Sequence, residues 1–300
     1  MPNKKRKSEA SLINNTANDD NNNNNNYDDN DDLLQVVNAP TPANRFIERQ
    51  VEMLLQEDSV ITILDTFIKM ELHKEENYSL CDAFKNTNIC KNIISVIETQ
   101  DQTDEVVRKA CGFITRLTCK DKEFFTNQLA TSDSIQAITD QMKIFLENEE
   151  LQVHVCEAIS SISCADFEEN SIMEIFKNDT LKVISDVMKK YPENVGIQGS
   201  IAILVYNVSL ECKAMRDIVI QNNFVEYTLD ALNKNFEDND LSKYFCEFLK
   251  LIVEKEEVKI CIRAKDGTIL LAKIESHDRK ISENEVADLA LDVFKAVCSP

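Results

Sequence analysis

Apolar residues recur along the chain with the spacing of buried helices, and this recurrence itself repeats. In five segments, positions i, i+4, i+5, i+7, i+8 and i+11 are all apolar: 106–117, 151–162, 197–208, 241–252 and 286–297. The last residues of these segments are separated by 45, 46, 44 and 45 positions. Such spacing gathers the apolar side chains on one broad helical face. The pattern predicts five long helices in a repeat of about 45 residues.

Two further helices are predicted before each long one. A short apolar element comes first, at 124–129, 172–176, 218–220 and 258–262. A second helical pattern then opens at Ile135, Leu181, Phe224 and Ile269. Polar side chains that could cap these second helices stand just before them, namely Asp133, Asp179, Asn223 and Asp266. The repeat unit is therefore predicted to contain three helices.

One region also fits a β-hairpin. Residues 258–263 and 268–272 are rich in residues that favour strands, and they flank an Asp-Gly pair, which is typical of hairpin turns. The repeat register instead places the corner between a first and a second helix here. We expect this helical corner, and we expect it to tolerate Gly267→Pro far better than a long helix tolerates Leu204→Pro.

The segment 198–209 ends in Asn207-Val208-Ser209 after a run of small and apolar residues, and it resembles the third helix of an armadillo repeat. The resemblance covers residues 45–300, as five to six repeats. It implies an all-α, right-handed superhelical solenoid whose third helices line one concave surface. The other segments replace the asparagine with Arg116, Ser161, Leu251 and Ala296. HEAT repeats, which have two helices and a similar length, are the alternative.

Composition supports the helical class and separates a tail from the repeats. Only 4 glycines and 5 prolines occur in 300 residues, which leaves little turn chemistry for a many-stranded β fold. Residues 1–44 contain an asparagine tract at 21–26 and an acidic stretch at 28–32, a composition typical of disorder. The expected organisation is a disordered tail over 1–44 followed by an armadillo-like repeat domain over 45–300.

The tail also carries four consecutive basic residues, Lys4, Lys5, Arg6 and Lys7. They resemble a short nuclear-localisation signal. There are two alternatives. The residues could be a basic terminus that no receptor recognises, or a segment that folds back onto the acidic body of the same chain. The expected location is therefore cytoplasmic, nuclear or both.

Charge and cysteine usage narrow the classes of partner and ligand. The formal net charge is −20, and residues 45–300 hold 29 Lys and Arg against 46 Asp and Glu. Such a surface repels phosphate, so direct nucleic-acid binding by the body is not expected. No apolar run is long enough to predict a membrane span.

The ten cysteines include no Cys-x-x-Cys pair, which argues against a zinc site. Spacings of eight, as in Cys111/Cys119 and Cys156/Cys164, predict buried thiols in a reducing compartment.

Catalytic patterns do not emerge from the sequence. His154 has no serine or cysteine nucleophile placed beside it by the repeat, and it is interpreted as a packed or rim histidine. The chain has no glycine-rich phosphate loop. The sequence therefore predicts a protein that is not an enzyme, with no cofactor, no metal and no small-molecule substrate.

The armadillo resemblance points to a binding groove on the third helices, on the face that the apolar positions leave free. Residues two, six and ten positions after each segment start form three columns on that face. The candidate groove residues are Arg108, Arg116, Glu157, Ser161, Ile203, Asn207, Lys243 and Glu247. Family members that bind extended peptides use an asparagine in the third column and often a tryptophan in the second. This chain keeps only Asn207 and has no tryptophan, which argues against an import receptor of the importin-α kind.

The predicted function is that of a scaffold or adaptor for a protein partner. We expect a peptide or helix of basic or mixed polarity to bind across residues 157–247, with the Asn207 amide on its backbone and Ile203 as an apolar anchor. Asn207 could instead tie adjacent repeats together. A regulator that binds the folded domain of an enzyme or small GTPase is the alternative function.

Overall fold

The computed structural model describes residues 42–56, 59–70, 78–99, 103–165, 167–281 and 285–299, and the regular structure in these ranges is helical. The helices are α1 Pro42–Met53, α2 Val60–Lys69, α3 Tyr78–Lys85, α4 Ile89–Glu98, α5 Asp104–Lys120, α6 (a π-helical turn, Lys122–Thr126, continued by Asn127–Leu129), α7 Ser132–Ile144, α8 Glu149–Ile162, α9 Glu169–Ile175, α10 Asn178–Lys190, α11 Val195–Glu211, α12 Lys213–Gln221, α13 Phe224–Asn235, α14 Asn239–Ile252, α15 Glu256–Ala264, α16 Gly267–Ile281 and α17 Glu285–Cys298. The predicted all-α class is confirmed. The basic tetrad and the rest of the tail up to residue 41 lie outside the described residues.

The helices follow one another in groups of three. The five predicted long helices are α5, α8, α11, α14 and α17, and each packs against the next one in this series. The predicted second helices are α4, α7, α10, α13 and α16, and the first helices are α3, α6, α9, α12 and α15. Preceding them, α1 packs on α4 and α2 on α5, so they occupy the second and third positions of one further repeat. Three helices per repeat match the armadillo pattern and not the HEAT alternative.

The core lies where the apolar periodicity places it. All but two of the thirty apolar positions in the five long helices are buried. Leu291 and Phe294, in α17, are only partly buried. Both occupy positions that earlier repeats cover with the following third helix, and α17 has no following repeat among the described residues. Burial by the next repeat is the physical reason why a single unit cannot stand alone.

Three of the four predicted caps of the second helices are wrong, those at Asp133, Asp179 and Asn223. Asp133 and Asp179 lie inside α7 and α10, and Thr131 caps α7 by accepting from the backbone N–H of Ser134. Asn223 and Asp266 adopt left-handed backbone conformations, with φ of 63° and 54°, and the Asn223 side chain forms no cap hydrogen bond. The recurring caps belong to the third helices. There the side chain three residues before the first core position accepts that residue's N–H, namely Thr103, Asn148, Asn194 and Asp238.

The corner between α15 and α16 is helical, and a hairpin is excluded there. Its glycine is needed for close approach and not for backbone freedom, because the left-handed residue is Asp266. A Cβ atom on residue 267 would lie 2.7 Å from Ile262 Cγ2 and 2.8 Å from the Ile262 carbonyl oxygen. Proline carries the same Cβ, so Gly267→Pro is expected to destabilise this corner, and its tolerance relative to Leu204→Pro stays a prediction.

Polar side chains hold successive repeats in register. The amide of Gln141 in α7 donates from Nε2 to the carbonyl oxygen of Ile97 in the preceding repeat, at 2.9 Å. The Tyr191 hydroxyl, one repeat later, donates to the carbonyl oxygen of Leu146, at 2.7 Å. Each bond joins residues about one repeat apart. The three columns of the long helices are therefore aligned into one continuous surface, called here the third-helix surface.

Candidate functional site

All eight candidate groove residues lie outside the core on the third-helix surface. Arg116 is exposed, and the other seven are partly buried. They come from four consecutive long helices: Arg108 and Arg116 from α5, Glu157 and Ser161 from α8, Ile203 and Asn207 from α11, Lys243 and Glu247 from α14. The stacking of α5, α8, α11 and α14 brings them onto one face.

Ion pairs between neighbouring long helices neutralise many of the charges on this surface. Arg108 pairs with Glu150 at 3.3 Å, and Lys243 pairs with Glu285 at 2.8 Å. This hydrogen bond to Glu285 raises the pKa of Lys243. Two further pairs involve the columns of α17, Lys250 with Asp292 at 2.7 Å and Arg279 with Asp288 at 3.2 Å. Such partly exposed pairs contribute little to stability, but they satisfy the charges that they join.

Three charged column residues stand outside these pairs. Glu157 Oε2 is 3.4 Å from His154 Nδ1 on the same helix. Arg116 and Glu247 form no ion pair within the described residues. They lie at opposite ends of the run from α5 to α14, and they carry opposite charges. The two ends of the surface therefore carry charges of opposite sign that form no ion pair in the described residues, and Glu157 faces His154 between them.

The centre of the third-helix surface carries no charge. Helix α11 has no charged residue from Val195 to Leu210, and these two residues are 40% and 45% exposed. Nothing lies within 4 Å of where a Cβ on Gly199 would stand. Beside it, Val153 of α8 and Ile203 of α11 are partly exposed. An apolar side chain from a partner could be accommodated here without displacing any side chain of the protein.

An aromatic pair lies between α11 and α14, next to the uncharged centre. The rings of Tyr206 and Tyr244 have centroids 6.4 Å apart and an interplanar angle of 55°. Burial raises the pKa of Tyr206, and the carboxylates of Glu247 and Glu211 raise it further. The phenol therefore stays neutral at physiological pH while facing negative charge. The sequence analysis missed this pair, because only the packing shows that positions 38 residues apart meet between two helices.

Asn207 contacts the preceding repeat. Its Nδ2 donates to Ser163 Oγ at 3.1 Å and to Cys164 Sγ at 3.4 Å, both at the C-terminal end of α8. This geometry supports the interpretation that Asn207 ties adjacent repeats together. The side-chain oxygen of Asn207, Oδ1, accepts no hydrogen bond within the described residues. This side of the side-chain amide is therefore available to a partner's backbone.

Replacing Asn207 with alanine is expected to lower the free energy of unfolding by about 1 kcal/mol, because the link from α11 to α8 is lost. Denaturant titration followed by circular dichroism measures it. The matched control is Asn233→Ala, at an exposed asparagine on α13 whose side chain forms no hydrogen bond within the described residues, and it should change stability by less than about 0.5 kcal/mol. Unchanged stability in Asn207→Ala, with weakened partner binding, would instead favour direct contact with the partner.

The thiols show no sign of activation. Burial raises the pKa of Cys111 to about 12, and it raises the pKa of Cys156 as well. Cys119 is exposed and Cys164 partly exposed, so the prediction of burial is wrong for the second cysteine of each pair. The pKa of Cys119 is still raised, by partial burial and by nearby Cys164 and Glu157. A thiol with a raised pKa is a poor nucleophile at neutral pH.

The described residues contain no group of three or more His, Cys, Asp or Glu side chains that could hold a metal ion. None of the described helices is long and apolar enough to cross a membrane.

Comparisons with known proteins were made of sequence and of structure. No protein-family model and no curated protein matches the sequence. An engineered protein matches the structure with a TM-score of 0.65 at 12% identity, over 84% of this chain and 98% of its own. A designed armadillo repeat protein matches with a TM-score of 0.59 at 13% identity, over 83% and 99%. The fold is the armadillo fold. Another designed armadillo repeat protein, in complex with the peptide (KR)4, matches with a TM-score of 0.58 at 14% identity, over 83% and 98%.

Proposed function

We propose that this armadillo-type protein is a non-enzymatic scaffold or adaptor that binds a segment of a protein partner along its third-helix surface. The observation that carries the proposal is the exposed, uncharged face of α11 in the middle of five stacked long helices. Exposed apolar surface rimmed by polar residues is typical of protein interaction sites.

The local chemistry suits a peptide segment of mixed polarity. Ile203 and Val153 offer apolar contact, the Asn207 carbonyl oxygen can accept from a partner backbone, and Glu157 and Glu247 lie on either side. The fold supports this use, since the designed armadillo protein with the same architecture holds a peptide. In this chain the segment would cross α8, α11 and α14.

Peptides selected from a random library displayed on phage test the proposal. Binding of the selected peptides should weaken at least about tenfold in Ile203→Arg, because a long cation replaces the apolar anchor at the centre of the surface. The matched control is Ile260→Arg, which makes the same change at an isoleucine of α15 that is 57% exposed. Peptides that bind Ile203→Arg as well as the original protein, or that lose affinity equally in both variants, would contradict the proposal.

A further inference from the structure

The unpaired charges of the third-helix surface specify the partner more closely than its overall acidity does. With a net charge of −20, long-range attraction alone favours a partner that is basic throughout. Most column charges, however, are already satisfied, Arg108 and Lys243 among them. A partner charge placed against a satisfied pair gains little net energy, whereas one placed against an unpaired charge gains a new interaction.

We infer that the surface selects a bipolar segment, which places a Lys or Arg side chain at Tyr206, Tyr244 and Glu247, a carboxylate at Arg116, and an apolar residue between them. The inference rests on the proposed function, because it assumes that a protein segment binds the third-helix surface. It extends that function by fixing the charge pattern of the segment.

The end of the surface that would bind the partner's cation is built from two aromatic rings and one carboxylate. Tyr206 and Tyr244 are both partly buried and lie side by side. The quadrupole of an aromatic ring attracts a cation that is placed over its face. Glu247 supplies the compensating charge. Two cations on its own helix lie within one turn of it, Lys243 four residues earlier and Lys250 three residues later, and their ammonium groups are bonded to Glu285 and Asp292. The chain therefore leaves Glu247 available for a cation from outside.

The end of the surface that would bind the partner's carboxylate is Arg116 on α5. Its guanidinium is exposed, and a guanidinium can bind a carboxylate through two parallel hydrogen bonds. One turn earlier on the same face of α5, in the second column, stands Gly112, which has no side chain to obstruct the approach. A Cβ there would be in ordinary van der Waals contact with His154 Nδ1 of α8, at 3.8 Å, so the following helix already lies against this position.

The separation of the two ends sets the spacing of charges in the partner. Three steps between packed helices lead from α5 to α14, each about 8–10 Å between axes, which gives roughly 24–30 Å. An extended chain advances about 3.3 Å per residue, so the two charges should stand about eight residues apart. The apolar residue falls midway, over Val153, Gly199 and Ile203.

Three fluorescent peptides with identical Gly/Ser backbones test this pattern. Each has leucine at the centre and carries at its two charged positions, about eight residues apart, Arg and Asp, or two Arg, or two Asp. Fluorescence anisotropy at physiological salt should show the original protein binding the Arg/Asp peptide at least about tenfold more tightly than either of the others. A preference for the two-Arg peptide, or no binding by the Arg/Asp peptide, overturns the inference.

Charge reversal at each end should switch the preference. Arg116→Glu is expected to prefer the two-Arg peptide, and Glu247→Lys the two-Asp peptide, each by about tenfold. Matched reversals outside the surface, Arg49→Glu on α1 and Asp186→Lys on α10, should leave the order of the three peptides unchanged.

Two variants of Tyr244 test the contribution of the aromatic ring. Tyr244→Phe keeps the ring face and should retain affinity for the Arg/Asp peptide, whereas Tyr244→Leu should lose this affinity.

Ile203→Arg separates the two proposals. If it abolishes binding but the peptide preference does not follow the reversals at residues 116 and 247, the bipolar inference fails and the proposed function stands. If Ile203→Arg binds all three peptides as the original protein does, the segment does not use this surface and the proposed function fails.

Discussion

Phe113→Ala is expected to lower the free energy of unfolding by about 3–5 kcal/mol. Phe113 of α5 is fully buried. Its ring centroid lies 5.1 Å from that of Phe67 in α2 and 5.5 Å from that of Phe84 in α3. The alanine variant removes the ring that joins the first described helices to the next repeat, and it leaves a cavity between three helices.

Denaturant titration followed by far-ultraviolet circular dichroism measures this loss. Phe294→Ala in α17 is the matched control, since it removes the same ring from an equivalent helix where no following repeat covers it. Phe294→Ala should lower the free energy of unfolding clearly less, by about 1–2 kcal/mol, because folding withdraws less of the Phe294 ring from water. Equal losses in the two variants would contradict the view that burial by a neighbouring repeat supplies the stability of each third helix.

Gly267→Ala is expected to destabilise the protein by about 1–3 kcal/mol, although alanine is the better helix former. The new Cβ would stand 2.8 Å from the Ile262 carbonyl oxygen, and a backbone atom cannot move aside cheaply. A third neighbour, Leu229 Cδ2, lies 3.2 Å away, so the clash reaches α13 as well. The corner between α15 and α16 would have to open.

The matched control for this change is Gly199→Ala in α11. Nothing lies within 4 Å of the added methyl group, so the lower conformational entropy of the unfolded chain should stabilise the protein by about 0.5–1 kcal/mol. The two melting temperatures should therefore shift in opposite directions. A rise for Gly267→Ala would show that the corner relaxes without cost.

Much of the site's position was accessible from the sequence, and little of its chemistry was. The apolar positions of the long helices placed Ile203 and Glu247 on one exposed face, because a helix with one buried stripe has only one opposite face. The partners of the charged residues could not be found in that way. Arg108 meets Glu150, and Lys243 meets Glu285, across about one repeat, and these distances depend on how two helices pack.

The same division explains the errors in local detail. The helical period located the second helices but not their first turns, so Asp133 and Asp179 fell inside helices that begin earlier. For Asn207 the motif left two alternatives, a partner contact and a link between repeats, and only the packing shows that its amide nitrogen donates to Ser163 and Cys164 of the previous repeat.

The sequence by itself determined the helical class, the repeat length, the three helices per unit and the residues of the core. Each of these follows from periodicity within a few turns of helix, which is a local property of the chain. Only the tertiary structure decided that Gly267 has no room for a side chain, that Tyr206 meets Tyr244, and that Arg116 and Glu247 form no ion pair with any residue that the structure describes. These features arise between helices, where side chains from different repeats approach within a few ångströms at distances that the linear pattern does not encode.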